Sequence, residues 1–113
     1  VAELEELVAG LDLELRRGTL VLCVLSRLTT PQYGYSLVQE LSEKGIAIDI
    51  STLYPLLRRL ERQGICAAEW ETSGAKPRKY YQLTEQGRQV YQELKEHWQN
   101  IATSISALLE EKS

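Results

Sequence analysis

Residues 51–64 read STLYPLLRRLERQG, and this stretch decides the fold. At about 100° per residue, Leu53, Leu56, Leu57 and Leu60 fall on one side of a helix. Ser51, Pro55, Arg58, Arg59 and Arg62 fall on the other side, with Thr52 and Tyr54 at its edges. Ser51 is expected to cap the start by accepting from a free N–H of the first turn, with Ile50 stapling the entry. Gly64 ends the run, where a left-handed residue is needed. Pro55 then falls in the fourth helical position, where the loss of one early backbone bond is tolerated. The outer face combines cations, hydroxyls and an aromatic ring, the groups that meet phosphates and base edges. The same residues also fit an ordinary solvated helix face, so the flanking sequence has to decide.

After Gly64 the hydrophobic period changes from about 3.6 to about 2 residues. Cys66, Ala68, Trp70 and Thr72 alternate with Ala67, Glu69 and Glu71. A loop, SGAKP, follows at 73–77, and then Lys79, Tyr81 and Leu83 alternate with Arg78, Tyr80 and Gln82. This is an antiparallel hairpin with a basic rim at Lys76, Arg78 and Lys79. Charge on an edge strand also guards against pairing with another chain, so the rim has a purely structural explanation too.

Upstream, Leu4, Leu7, Val8 and Leu11 form the stripe of a short amphipathic helix over residues 3–11, which needs cover to be stable. Leu13 to Leu28 reads as a mostly buried helix, with Gly18 pointing to a close packing contact. The next helix opens at Thr30–Pro31 or nearer Gly34; Leu37, Val38 and Leu41 give its inner face and Lys44–Gly45 its end. Ile46 to Ile50 is a short extended connector. Downstream, Thr84 caps the last helix, in which Tyr91, Leu94, Trp98, Ile101, Ile105 and Leu108 are spaced 3, 4, 3, 4, 3. That is an a/d seam, and it wants a partner: the N-terminal stripe, a second copy of the chain, or both.

A chain of 113 residues supports one domain with an appended helix. With 43% hydrophobic and 26% charged residues, its composition is that of a globular protein. No apolar run reaches bilayer length, and no signal-peptide pattern opens the sequence. Cys23 and Cys66 lie far apart without metal-ligand spacing and read as buried free thiols. His97 is the single histidine and has no nucleophile or carboxylate at a spacing that compels a role. With no Gly-rich phosphate loop and no metal cluster, the expectation is a non-enzyme with no catalytic residue, metal or cofactor. The net charge of −3 argues against a polyanionic partner until its distribution is considered. Residues 51–84 carry 6 basic and 3 acidic groups, and every other segment is acidic on balance. A local basic face matters more to a polyanion than the total.

Three helices, the third of them basic, followed by a two-stranded hairpin is the order of a winged helix-turn-helix. The expected fold is therefore mainly α with a β-hairpin. Residues 1–84 are expected to form a winged helix-turn-helix DNA-binding domain with an N-terminal helical extension, and 85–113 a dimerisation helix. RRGTLVLCVLSRL, YGYSLVQEL, STLYPLLRRLERQGI and KPRKYYQLTEQGR, taken as an ordered set, resemble the PadR family of bacterial transcriptional regulators. The resemblance runs from about Leu15 to Arg88. The single helix after the wing is similar to the family's short subfamily, some of whose members are multidrug-sensing repressors with a tryptophan facing its dimer mate. Trp98 sits in a comparable place.

The resemblance implies a cytoplasmic homodimer that binds a pseudo-palindromic operator in double-stranded DNA, represses nearby genes and lets go when an effector binds. The DNA-facing positions it implies are Tyr35 and Ser36, then Ser51, Thr52, Tyr54, Pro55 and Arg58, then Lys76, Arg78 and Lys79 of the wing. Tyr54 fits packing at the core edge equally well. Trp98 reads as dimer core or, because two indoles near a two-fold axis can leave a gap, as the wall of a site for a small planar aromatic effector. Leu94, Ile101, Leu15 and Val8 would frame that site. The competing function is a winged helix used as a protein-interaction module without DNA, which would more often show apolar anchors on the outer face of the third helix. The acidic extension LEELVAGL lies ahead of the point where many relatives begin.

Overall fold

The computed structural model describes residues 2–111. In chain order the elements are α1 (Ala2–Arg17), α2 (Leu20–Arg27), β1 (Gln32–Tyr33), α3 (Gly34–Glu43), α4 (Ile50–Arg62), β2 (Cys66–Glu71), β3 (Arg78–Leu83) and α5 (Glu85–Glu110). The architecture is mainly helical with a small antiparallel sheet, as the winged helix-turn-helix reading requires.

Helix α4 carries the pattern that its leucines announce. Leu53, Leu57 and Leu60 are at most 2% exposed, Leu56 is half-buried, and Ser51, Thr52, Pro55, Arg58, Arg59 and Arg62 face water. The leucines meet Val24 and Leu25 of α2, Leu28 just after it, and Leu37 and Leu41 of α3, and the sheet closes the core with Cys66, Tyr81 and Leu83. Burial pushes the Cys66 thiol up to about 11, so it sits in the core as a neutral group. Gly64, with φ 76°, ends α4 in the left-handed region, and Gly45, with φ 88°, does the same after α3.

The helix starts differ from expectation. Asp49, not Ser51, is the N-cap of α4; its backbone is extended and its carbonyl accepts from the N–H groups of Thr52 and Leu53. No side chain caps this end. The Ser51 hydroxyl sits on the exposed first turn without a partner among the described residues, and Pro55 lies one and a half turns into the helix rather than one. Of the two openings considered for α3, the chain takes Gly34. The residues just before it are drawn into β1, a third strand that pairs with β3 through Gln32↔Tyr81 and Tyr33↔Tyr80. The sheet order is thus β1-β3-β2, and the hairpin register of Cys66 against Leu83 and Glu71 against Arg78 keeps Lys79, Tyr81 and Leu83 on one face.

The N-terminal region is divided otherwise than the sequence suggests. A single helix runs through to Arg17, and the break falls at Gly18–Thr19, where the Thr19 N–H and hydroxyl both donate to the Arg16 carbonyl. Gly18 makes no close packing contact; a Cβ there would meet open space. Leu13 and Leu15 are 69% and 73% exposed and belong to α1, not to a buried helix. Leu4, Leu7, Val8 and Leu11 are exposed as well. The molecule measures 60 × 35 × 22 Å with a radius of gyration of 17.0 Å. A compact domain of this length would have about 13 Å.

One joint ties α5 to the rest. The Thr84 side chain accepts from the Gly87 N–H at 3.0 Å and donates to the Gly64 carbonyl at 2.6 Å. The Thr84 N–H donates to the Ile65 carbonyl at 3.0 Å. Gly87 is buried because its Cα rests on that same carbonyl; an added Cβ would run into the Ile65 oxygen, with the carbonyl carbon 3.0 Å away. Gly87→Ala is therefore expected to lower stability by about 2–3 kcal/mol, since backbone rather than a flexible side chain must move. Urea unfolding monitored by circular dichroism reads this directly; an unchanged midpoint would mean that the joint yields.

Candidate nucleic-acid interface

The exposed side of α4, the start of α3 and the hairpin enclose a cleft of about 700 Å³. Tyr33 and Tyr35 line it from β1 and α3, and Tyr54 and Arg58 from α4. Trp70 lines it from β2, Lys76 and Pro77 from the loop, and Arg78, Lys79 and Tyr81 from β3. Of the ten residues assigned to DNA contact from sequence, Tyr35, Tyr54, Arg58, Lys76, Arg78 and Lys79 meet here. Ser51, Thr52 and Pro55 lie exposed on α4, the helix that forms one wall.

Ser36 has a local task. Its hydroxyl accepts from the Tyr33 N–H at 3.1 Å and stands 3.0 Å from both the Gln32 amide oxygen and the Tyr33 carbonyl. This satisfies the opening of α3 in the manner of the return arm of a capping box and leaves Ser36 half-buried. Gln32 also donates to Glu40, which accepts from Arg27 at 3.1 Å, so α2, β1 and α3 are held together by side chains.

The cations of the cleft fall into two kinds. Lys79 is half-buried, with its ammonium 3.4 Å from Glu61 and 5.3 and 5.9 Å from the ring centres of Tyr81 and Trp70. Burial works against its charge, but Tyr81 and Glu61 outweigh that and hold the ammonium above its ordinary value. Arg78 lies 5.0 Å over the Tyr33 ring. The Tyr33 and Tyr80 hydroxyls are hydrogen-bonded to each other; that bond, followed by Arg78, holds the Tyr33 phenol below its ordinary value, and the same bond holds Tyr80 above it. Arg58 and Lys76, by contrast, are exposed, and among the described residues neither is paired with a carboxylate or a ring. Tyr54 packs at the core edge and also borders the cleft. Its ring lies against Gly34.

Four lining residues escaped the sequence reading: Tyr33, Trp70, Pro77 and Tyr81. Trp70 and Tyr81 share strand parity with the buried Cys66 and Leu83 and so point toward α4, a signal present in the alternation. Tyr33 depends on β1, whose two residues are too short for any period to show.

The model of the Transcriptional regulator PadR-like family matches residues 21–101. This chain belongs to that family. A PadR family transcriptional regulator from Eggerthella lenta has a crystal structure 47% identical to this chain, with a TM-score of 0.93 over 99% of this chain and 100% of that one. A PadR-like transcription factor from Bacteroides fragilis is 32% identical, with a TM-score of 0.71 over 88% and 98% of the two chains. The transcriptional regulator Rv3488 of Mycobacterium tuberculosis is 33% identical over 73 residues, 65% of this chain and 68% of that protein. Helix α1 lies outside the span of the PadR-like model, yet the Eggerthella lenta structure covers it, so the extension is not peculiar to this PadR-like chain.

The placement of Tyr54 can be checked. A Cβ on Gly34 would stand 2.7 Å from the Tyr54 ring and hydroxyl. Gly34→Ala is expected to cost about 1–3 kcal/mol by driving the ring outward. Tyr54→Ala should recover most of that loss, giving a coupling of at least about 0.5 kcal/mol in a double-mutant cycle. Additive losses would show that the ring does not wedge α3 against α4.

Proposed function

We propose that this PadR-family regulator is a homodimeric repressor that binds operator DNA with α4 in the major groove and the hairpin as its wing. The observation that carries this is the convergence of Arg58 and Lys76, uncommitted cations from helix and loop, with Arg78 on one cleft of an otherwise acidic chain. A protein-docking face would need apolar anchors along α4, and the exposed positions there are Ser51, Thr52, Pro55, Arg58, Arg59 and Arg62.

In this reading Arg58 reaches a base edge, and Lys76 and Arg78 hold phosphates. Two α4 helices should enter successive major grooves with half-sites roughly 34 Å apart. Arg58→Ala is expected to reduce discrimination between operator and random duplex by about 1–3 kcal/mol. Lys76→Ala should weaken every sequence alike and lower the salt slope by about one. Lys79→Ala should change the slope less, because Glu61 already neutralises that charge. Fluorescence anisotropy with labelled duplexes at several salt concentrations measures all three; undiminished discrimination in Arg58→Ala would remove it as the reading residue.

The dimer is supported by the surface that one chain leaves bare. Trp98, Ile101, Ile105 and Leu108 of α5 are 44–66% exposed, beside half-buried Tyr91 and Leu94, and α1 adds its own leucine stripe. A second copy that pairs α5 with α5 and lays α1 over them buries both stripes. Light scattering is expected to give twice the 12.9 kDa chain mass, and Ile101→Glu with Ile105→Glu should give monomer or unfolded chain. A well-folded wild-type monomer at micromolar concentration would rule the arrangement out.

Effector release is the remaining part of the reading. Trp98, at 47% exposure in the single chain, would face its mate across the axis, with Leu94, Ile101, Val8 and Leu15 around it. A planar aromatic effector held there would respace the two α4 helices by as much as it prefers the spacing that does not fit DNA. Quenching of tryptophan fluorescence by such a compound should disappear in Trp98→Ala.

A further inference from the structure

The cleft is rich in aromatic rings. Five of its ten lining residues are aromatic, out of six Tyr and two Trp in the whole chain. A duplex offers phosphates, sugars and base edges at its surface, while its base faces are stacked on each other. Aromatic side chains engage nucleic acid chiefly by stacking on bases that have left the helix. Two of the rings stand open for this: Tyr35 is 73% exposed and Trp70 is 63% exposed, one from α3 and one from the wing. The volume of about 700 Å³ lies within the range of roughly 300–1,000 Å³ typical of small-molecule sites.

We propose that this cleft binds a single nucleotide with an unpaired base, and that its occupation excludes duplex DNA. The base lies against Trp70 and Tyr35. The phosphate goes to Arg58 and Lys76, the two cations that hold neither a ring nor a carboxylate. Lys79, fixed by Glu61 between Trp70 and Tyr81, steadies the indole and adds positive potential to the floor. Such a ligand acts by direct competition at the reading head and needs no change in the spacing of two α4 helices. The exclusion of duplex rests on the DNA-binding function proposed above; the binding of the nucleotide does not.

The test separates base from phosphate. Tryptophan fluorescence of the full chain is titrated with AMP, with adenosine and with ribose 5-phosphate, and a short single-stranded oligonucleotide is run beside them. AMP is expected to quench saturably and to bind at least roughly tenfold tighter than either fragment, about 1.4 kcal/mol for each missing half. Trp70→Phe should remove the quenching, and Arg58→Ala should weaken AMP while leaving adenosine unchanged. Both side chains are exposed, and circular dichroism confirms that the variants fold. A free nucleotide as the ligand gives AMP affinity equal to or above that of the oligonucleotide; a nucleotide within a strand gives the reverse. Ribose 5-phosphate binding as tightly as AMP would reduce the cleft to a cationic patch, and adenosine doing so would reduce it to a sticky aromatic wall. Quenching that survives Trp70→Phe would move the ligand to Trp98. Any of the three overturns the proposal, as does the absence of saturable quenching. AMP should also displace a labelled random duplex at low salt, and simultaneous binding of both would overturn the exclusion. A duplex that fails to bind at all would instead defeat the DNA-binding function and leave the AMP titration to decide the site alone.

Discussion

The approach of Gly87 to the Ile65 carbonyl is the contact on which the arrangement depends. Three elements end or begin within a few residues of it: α4 leaves through Gly64, β2 starts at Cys66 and α5 starts at Glu85. Their relative directions are set by backbone groups, with Thr84 as the bracket between the Gly64 carbonyl and the Gly87 N–H. A side chain can change rotamer under load, whereas a carbonyl pressed against a Cα has nowhere to go. The orientation of α5 is thus transmitted to the exit of α4 with little slack. In a protein whose long helix is proposed to meet its copy and whose α4 is proposed to meet DNA, that stiffness makes one geometry depend on the other.

Much of this was legible because strong periods leave few choices. The leucines of α4 and the alternation of β2 and β3 each admit a single inner face, and the structure adopts it, although Leu56 is only half-buried and Trp70 stays exposed. Helix ends were harder. Asp49 and Ser51 are both capable caps two residues apart, and the chain uses the one that leaves Ile50 inside the helix. The division of the N-terminal region failed for a related reason. Leu13 and Leu15 match the apolar run after Gly18 in composition, and only tertiary placement shows that they belong to an uncovered helix.

The cleft divides along the same line. Its cations are conspicuous in the sequence because segment charge singles them out, and Arg58, Lys76 and Arg78 do gather. Its aromatic half was hidden. Trp70 and Tyr81 require the strand parity to be carried through to what lies opposite the strand, and Tyr33 requires a two-residue strand formed by a partner nearly fifty residues away. Ser36 shows the opposite error, since a hydroxyl at a helix start is as useful to the helix as to a ligand, and here the helix uses it. Lys79 likewise looked like a rim charge and proves to be held inward by Glu61.

The bare leucine stripe of α1 has a thermodynamic consequence. A sixteen-residue helix with little to rest on has marginal stability of its own. In the proposed dimer the second copy would supply much of the free energy that keeps it helical, so ordering of this segment and association would become one equilibrium governed by mass action. The melting temperature of such a chain is then not a fixed constant of the molecule. In the proposed dimer it would climb with the logarithm of protein concentration, and on dilution the α1 segment would be the first part to fray.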